Sequence, residues 1–368
     1  MIPQSNPRAG YLAHQSEIDA AIARVLDSGW YILGKEVESF EHEFAAWLGV
    51  NHAVGVANGT DAIELALKAA GVREGDQVAT VSHTAVATVA AIRRCGAIPL
   101  FVDIEADYYC MESTSLAQVL EKEADVKAIV VVHLYGQMAD MTAILELADR
   151  YDAIVIEDCA QAHGASLHGR KAGTWGDFGC FSFYPTKNLA ALGDGGAVVT
   201  GDESMAERLM ALRQYGWDDE RISQMDGVNS RLDEVQAAVL RVKLQHLDAG
   251  NEKRRSIAAV YAGGLESLNA VVTPKVRVGC EHVYHQFVVR VENRTVLREA
   301  LQQKDVLTAI HYPQAAHLHP AFASNLFKLL PLTKTESTIS MILSLPMFPE
   351  LSTDSANRVI DEIRAVIT

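Results

Sequence analysis

Between residues 59 and 156 the chain alternates helix-type and strand-type segments, and no other feature restricts its fold as strongly. Residues 59–70 have a helix-forming composition that stops at Gly71. Gln77–Val81 and Ile98–Val102 read as strands, with helix-like Ala85–Arg94 between them. Lys127–Val132 is a β-branched run of the kind buried on both faces of a parallel sheet. Helical Asp140–Arg150 and strand-like Ala153–Ile156 continue the order. This pattern predicts an α/β fold with a large, mostly parallel sheet and helices on both faces. Two further strands, near 179–183 and 197–200, flank a short connection. From Ser230 the spacing Ser-x-x-Asp reads as a capping box and predicts a helix through about Leu247. Beyond it the pattern changes to strand-like His285–Val291, helix-like Thr295–Lys304 and the proline-bearing His311-Tyr312-Pro313. These segments predict a smaller C-terminal α+β domain, with the chain divided as 1–248 and 249–368.

Charge narrows the function classes. The formal net charge is −15 over 368 residues, so a nucleic-acid partner, which calls for a basic face, is not expected. An anionic membrane surface is disfavoured for the same reason. A small phosphorylated ligand stays open, because a few local donors overcome a global field. The five cysteines, at 95, 110, 159, 180 and 280, form no Cys-x-x-Cys pair and read as buried free thiols of a reducing compartment. The N-terminus carries no basic region followed by an apolar run, and no apolar stretch reaches membrane-spanning length. A cytoplasmic protein is expected.

Lys187 lies in Ser182-Phe183-Tyr184-Pro185-Thr186-Lys187-Asn188, after an apolar run and before Gly193-Asp194-Gly195-Gly196. Upstream, Asp158 closes the run Ala153-Ile154-Val155-Ile156-Glu157-Asp158. Lysine is most often a solvated surface residue, and a strand-end aspartate is often a helix cap. Together they are what pyridoxal 5′-phosphate (PLP) requires: an amine for the Schiff base, and a carboxylate that keeps the pyridine nitrogen protonated. Asn58-Gly59-Thr60-Asp61 stands where a loop turns into a helix. It reads either as an ordinary N-cap or as an anion cradle at a helix N-terminus. It is neither a Walker A loop nor a dinucleotide fingerprint, and Gly193–Gly196 also lacks the G-x-G-x-x-G spacing, which removes the case for a nicotinamide dehydrogenase. His311-Tyr312-Pro313 and His317-x-His319 do not match a zinc pattern, and no metal site is expected.

Taken together these segments resemble the DegT/DnrJ/EryC1/StrS family of sugar aminotransferases. The likeness covers nearly the whole chain. It rests on the order of Asn58-Gly59-Thr60-Asp61-Ala62, Val102-Asp103-Ile104, Leu134-Tyr135-Gly136, Glu157–Ala165, Phe181–Asn188, Gly193–Ala197 and Asn229-Ser230-Arg231-Leu232-Asp233-Glu234. The resemblance implies the PLP-dependent transferase fold of type I and a homodimer with sites at the subunit interface. It implies Lys187 as the Schiff-base lysine, Asp158 at the pyridine nitrogen and Gln161 near the phenolic oxygen. Gly59, Thr60 and Ser182 would hold the phosphate, and Asn229 would reach the neighbouring subunit's cofactor. The family commonly places an aromatic ring over the cofactor after the threonine of a Ser-x-Thr-aromatic stretch. Here the stretch is Ser82-His83-Thr84-Ala85, so His83 is expected to supply the ring face instead of Ala85. His163, His311 and Tyr312 are candidates for substrate contact.

The activity implied is transfer of an amino group from L-glutamate to a nucleotide-linked ketosugar by ping-pong steps. A dehydrating relative carries histidine in place of the Schiff-base lysine, so Lys187 favours transamination. The stretch Ser82–Ile92 resembles that of 3-amino enzymes, which points to C3 of a dTDP-linked 3-keto-6-deoxyhexose. C4 amination, or a regulatory relative without catalysis, are the alternatives.

Overall fold

The computed structural model describes residues 1–123, 125–322 and 330–367. In chain order its strands are β1 (His52–Val56), β2 (Gln77–Val81), β3 (Ile98–Val102), β4 (Val126–Val132), β5 (Ile154–Asp158), β6 (Ser166–Leu167), β7 (Arg170–Lys171), β8 (Phe178–Ser182), β9 (Gly196–Thr200), β10 (Cys280–Glu281), β11 (Phe287–Arg290) and β12 (Ile342–Leu345). Seven of them make one sheet in the order β1-β9-β8-β5-β4-β2-β3. Within it β9 runs antiparallel to both neighbours, and the β2–β3, β2–β4, β4–β5 and β5–β8 pairs are parallel. The expected parallel α/β sheet is therefore present.

The β-branched run explains the centre of this sheet. Alternate residues of β4 point to opposite faces. Ala128 and Val130 enter one apolar cluster with Ile63, Leu65 and Ile156, whereas Ile129 and Val131 enter a second with Phe40, Phe44 and Phe181. Lys127 alone of β4 is exposed. A strand covered on both faces cannot show polar alternation, which is why the run is continuous in sequence. The connecting helices, including Gly59–Ala69, Val86–Arg94 and Met141–Arg150, match the expected ones to within a residue or two.

Two features differ from expectation. The helix after Ser230 starts at Glu234 and runs to Leu265. Ser230 is not its cap: the Ser230 hydroxyl accepts from the Ala57 amide (3.0 Å) and donates to Asp61 (2.7 Å). Asp233 takes the N-cap position without a side-chain bond. Glu234, its first residue, uses its carboxylate on another helix. It accepts from the amides of Gly34, Glu36 and Val37 at 2.8–3.0 Å, satisfying the open N-terminus of Lys35–Leu48. A capping pattern cannot distinguish a local acceptor from one spent on a distant helix. The second difference is length. Leu240, Leu244 and Leu247 pack in a sheet cluster, whereas Ile257, Tyr261 and Leu265 pack in a third cluster with Phe287, Leu343 and Val359. One continuous helix thus serves two cores, with the change of partner between Leu247 and Ile257. The third core also takes in Ile2, and β11 and β12 form its two-stranded antiparallel sheet.

Candidate active site

The parallel strands end at one edge of the sheet, where Val132 pairs with Asp158 and Asp158 with Cys180. Such an edge is where open α/β sheets bind ligands. A cleft of about 590 Å³ opens there, a volume suited to a cofactor with a small substrate. Its wall combines residues far apart in sequence: Gly59 and Thr60, Asp158 and Gln161, Ser182 and Lys187, His311 and Tyr312.

The helix Gly59–Ala69 points its N-terminus into this cleft. Asn58 is its N-cap, accepting from the Asp61 amide at 2.9 Å, and the first intrahelical bond is the one Ala62 donates to the Asn58 carbonyl. The amides of Gly59 and Thr60 precede that bond and remain donors for an anion. The cap reading and the anion reading of this segment are compatible. Glycine at 59 is needed for a close approach, since a Cβ there would stand 2.6 Å from Ser182 Cβ. Arg94 borders the same region, paired with Asp61 (2.9 Å) and Glu64 (2.7 Å).

Asp158 ends β5 with its carboxylate nearly buried, 5% exposed. Oδ2 accepts from the Thr88 hydroxyl (2.8 Å) and Oδ1 from the Ala160 amide (3.1 Å), while Thr84 and Thr88 share a hydroxyl bond of 2.9 Å. These donors fix the carboxylate plane and leave acceptor capacity toward the cleft. Lys187 follows a turn closed by its own amide on the Tyr184 carbonyl, 2.8 Å. Its neighbour Asn188 is pinned to Asn251 (2.9 Å) and to the Val283 carbonyl (3.0 Å). Burial pushes the Lys187 amine down to about 8, against the attraction of Asp158. A primary amine at that value is partly neutral, and hence nucleophilic, near neutrality.

Gln161 is oriented from both sides. Its Oε1 accepts from the Tyr135 amide (2.7 Å) and its Nε2 donates to the Tyr312 hydroxyl (3.0 Å), leaving one N–H unassigned. The Tyr135 hydroxyl gives its proton to the His311 carbonyl, so His83 Nε2, 2.8 Å away, must donate to it. His311 Nδ1 pairs with Ser344 at 2.8 Å, and burial with the nearby Lys187 charge pushes its imidazole down to about 4.

A model of the DegT/DnrJ/EryC1/StrS aminotransferase family matches residues 13–364. This chain belongs to that family. It is 45% identical over 363 residues to a dTDP-3-amino-3,4,6-trideoxy-alpha-D-glucose transaminase of Streptomyces venezuelae, covering 99% of this chain and 95% of the relative. The crystal structure of S. venezuelae DesV in complex with a ketimine intermediate superposes with a TM-score of 0.96 at 45% identity, over 99% of this chain and 98% of the other. NtdA from Bacillus subtilis, solved with bound cofactor PMP, gives a TM-score of 0.89 at 28% identity, over 96% and 82% of the two chains. The protein is an aminotransferase of PLP fold type I, and its cofactor is pyridoxal 5′-phosphate.

Two residues expected at this aminotransferase cleft, His83 and His163, do not line it. His83 lines no part of it: the ring is 1% exposed and packs edge-on against Tyr135, and the wall at that turn is Thr84, Ala85 and Ala87. The hydrogen bond to Tyr135 fixes the ring at its Nε2 edge. His163 is likewise fully buried, tilted against Phe181 and Phe183, and so is not placed to touch a substrate. Asn229 is exposed and stands outside the cleft of its own chain, bridged to Gln214. The sequence gives no role to His285 or Arg94, and none to Thr88 although it lies within the stretch Ser82–Ile92. Tyr135 lay inside a quoted segment, but nothing in the segment announced its hydrogen bonds.

One buried cluster beside the cleft, His133, Glu157 and Cys159, is close enough to hold an ion. Its carboxylate is already engaged. Glu157 accepts from the amides of Gly173 (2.9 Å), Trp175 (2.6 Å) and Gly176 (2.9 Å) and pairs with His133 Nε2 at 2.8 Å.

Proposed function

We propose that this aminotransferase moves an amino group from L-glutamate to C3 of a dTDP-linked 3-keto-6-deoxyhexose. One observation carries the reading: the Lys187 amine and the Asp158 carboxylate face a single cleft whose far end is an open helix N-terminus. That arrangement fits PLP region by region. The first amides of the helix at Gly59 and Thr60, with Ser182, take the phosphate. Asp158, held by Thr88 and Ala160, keeps the ring nitrogen protonated, and the spare N–H of Gln161 reaches the phenolic oxygen. When bound, PLP supplies an electron sink for a carbanion. Lys187 would tether the cofactor through Nζ, and that amine would hold and move a proton at the reacting carbon. Tyr312 and His311 border the substrate's side of the cleft.

The C3 assignment draws on the S. venezuelae relative, whose name specifies a dTDP-linked 3-amino sugar. We further infer a homodimer with shared sites. Trp30, Tyr31, Tyr184 and Tyr215 are large rings left 63%, 50%, 53% and 39% exposed, and exposed rings of this size suit burial against a second copy of the chain. In such a dimer Asn229 would serve the partner's cofactor. A cytoplasmic location accords with five free cysteines and with the absence, among the described residues, of a helix able to cross a membrane. The test is to incubate the holoenzyme with glutamate and a panel of 3-keto and 4-keto nucleotide sugars, locating the new amine by NMR. Amination at C4 alone, or at no sugar, would overturn the reading.

A further inference from the structure

A second cavity, of about 220 Å³, lies on the other side of the turn that carries Lys187. Its walls are the N-terminal segment near Asn6 and Gly10, one face of the helix Glu234–Leu265, and the loop at Phe348–Glu350. Three cationic side chains line it, Lys243, Lys253 and Arg254, against one carboxylate, Glu350. That is a local excess of positive charge in a chain whose formal net charge is −15.

Among the described residues, Lys243, Lys253 and Arg254 have no carboxylate within ion-pair distance. Arg254 is 4% exposed and directs one guanidinium nitrogen at the carbonyls of Tyr284, His285 and Met347, at 3.2–3.5 Å. These carbonyls satisfy donors but bring no countercharge. Burial pushes Lys243 down to about 8 and Arg254 to about 10, with Glu350 only partly opposing it. Buried charge without a counterion is costly, and an anion relieves that cost. Gly10, Ala249 and Gly250 leave the space open between the cations. The volume is below that of ordinary cofactor pockets, which run from about 300 Å³ upward, so the occupant is small. Lys243 and Arg254 stand eleven residues apart, roughly 16 Å along the helix axis, so the positive charge is spread along the cavity.

We propose that this cavity is a binding site for a small dianion, of the dicarboxylate or phosphate class, separate from the cofactor's phosphate cradle. It abuts the backbone of the catalytic turn, so its occupancy would brace that turn from behind. The site stands on the cavity and its charges alone and does not depend on which ketosugar is aminated.

The test uses the PLP-loaded protein, so that the cofactor's own phosphate site is filled. Sodium succinate and inorganic phosphate are each titrated at constant ionic strength, following the melting temperature and the heat of binding. The expected result is saturable binding of at least one of them, weakened about tenfold in Lys243→Gln and in Lys253→Gln and retained in Lys243→Arg. Saturation by succinate alone assigns a dicarboxylate site, and saturation by phosphate alone a phosphate site. Lys253 is exposed, so its variant keeps the test open if Lys243→Gln does not fold. The proposal is overturned if neither anion binds, or if both Gln variants bind as tightly as the unaltered protein.

Discussion

Replacing Glu157 by Gln exchanges one carboxylate oxygen for an amide nitrogen beside Asp158 and should be felt across the whole fold. Glu157 and Asp158 are consecutive on β5 and so point to opposite faces of the sheet. Asp158 faces the cleft, while Glu157 is fully buried and accepts four hydrogen bonds, two on each oxygen. A glutamine of the same shape keeps one oxygen and puts an NH₂ in place of the other. If the NH₂ lies at Oε2, the Gly173 amide and His133 lose their acceptor; at Oε1, the amides of Trp175 and Gly176 do. His133 cannot escape by changing tautomer, because its Nδ1 accepts from the Ala139 amide at 3.2 Å. Two buried donors left without a partner cost about 1–3 kcal/mol each, so the loss is roughly 2–6 kcal/mol with no cavity created. Domains are commonly stable by only about 5–15 kcal/mol, so the melting temperature of the PLP-loaded protein should fall by several degrees. Cofactor retention should weaken with it, since the 173–176 loop braces the strand that presents Asp158. Circular-dichroism melts and PLP absorbance read both effects. A melting temperature within about 1 °C of the unaltered protein would refute the assignment of Glu157 as the acceptor that anchors this loop.

Four further outcomes are expected. Lys187→Ala should abolish turnover while preserving the far-ultraviolet spectrum, and borohydride should no longer fix the cofactor to the chain; full activity would end the mechanism. The rate at which cofactor-free protein captures PLP should rise with pH around a midpoint near 8, because only the neutral Lys187 amine attacks; a midpoint near the ordinary 10.5 would show that burial does not lower it. Thr88→Val removes the hydroxyl bonded to Asp158, a charge-assisted contact of about 1.5–3 kcal/mol, and should shift the cofactor's absorbance and loosen it by about tenfold or more, with Thr88→Ser restoring both. Asn229→Ala should weaken PLP retention through the dimer partner, and unchanged affinity would remove it from the site.

Much of the sheet was legible because its signal is local. β2 and β3 coincide with the strands read from sequence, and β4 and β5 do so to within a few residues, because each is a short apolar run bounded by turns. The start of the helix at Glu234 was not legible. Ser230 and Glu234 satisfy partners about 170 and 200 residues away, and a capping pattern carries no information about distance in space. The same division runs through the site. Gly59, Thr60, Asp158, Gln161, Ser182 and Lys187 were read in sequence order and do line one cleft. His83 was assigned from its place in the Ser82–Ala85 stretch and His163 from its place in the Glu157–Ala165 segment, and their neighbours, Tyr135 for one and Phe181 with Phe183 for the other, hold them in the interior.

The sequence alone determined the alternating architecture and singled out Lys187 and Asp158 as candidates, since strand and helix runs and the segments that carry these two residues depend on residue type and local order. Only the tertiary structure decided which polar groups still have capacity to act. Thr88 and Ala160 orient Asp158, Gln161 is held between Tyr135 and Tyr312, and among the described residues three cations of one helix have no carboxylate within ion-pair distance. Hydrogen-bond capacity is finite, so what a side chain can do for a ligand depends on what the fold has already asked of it.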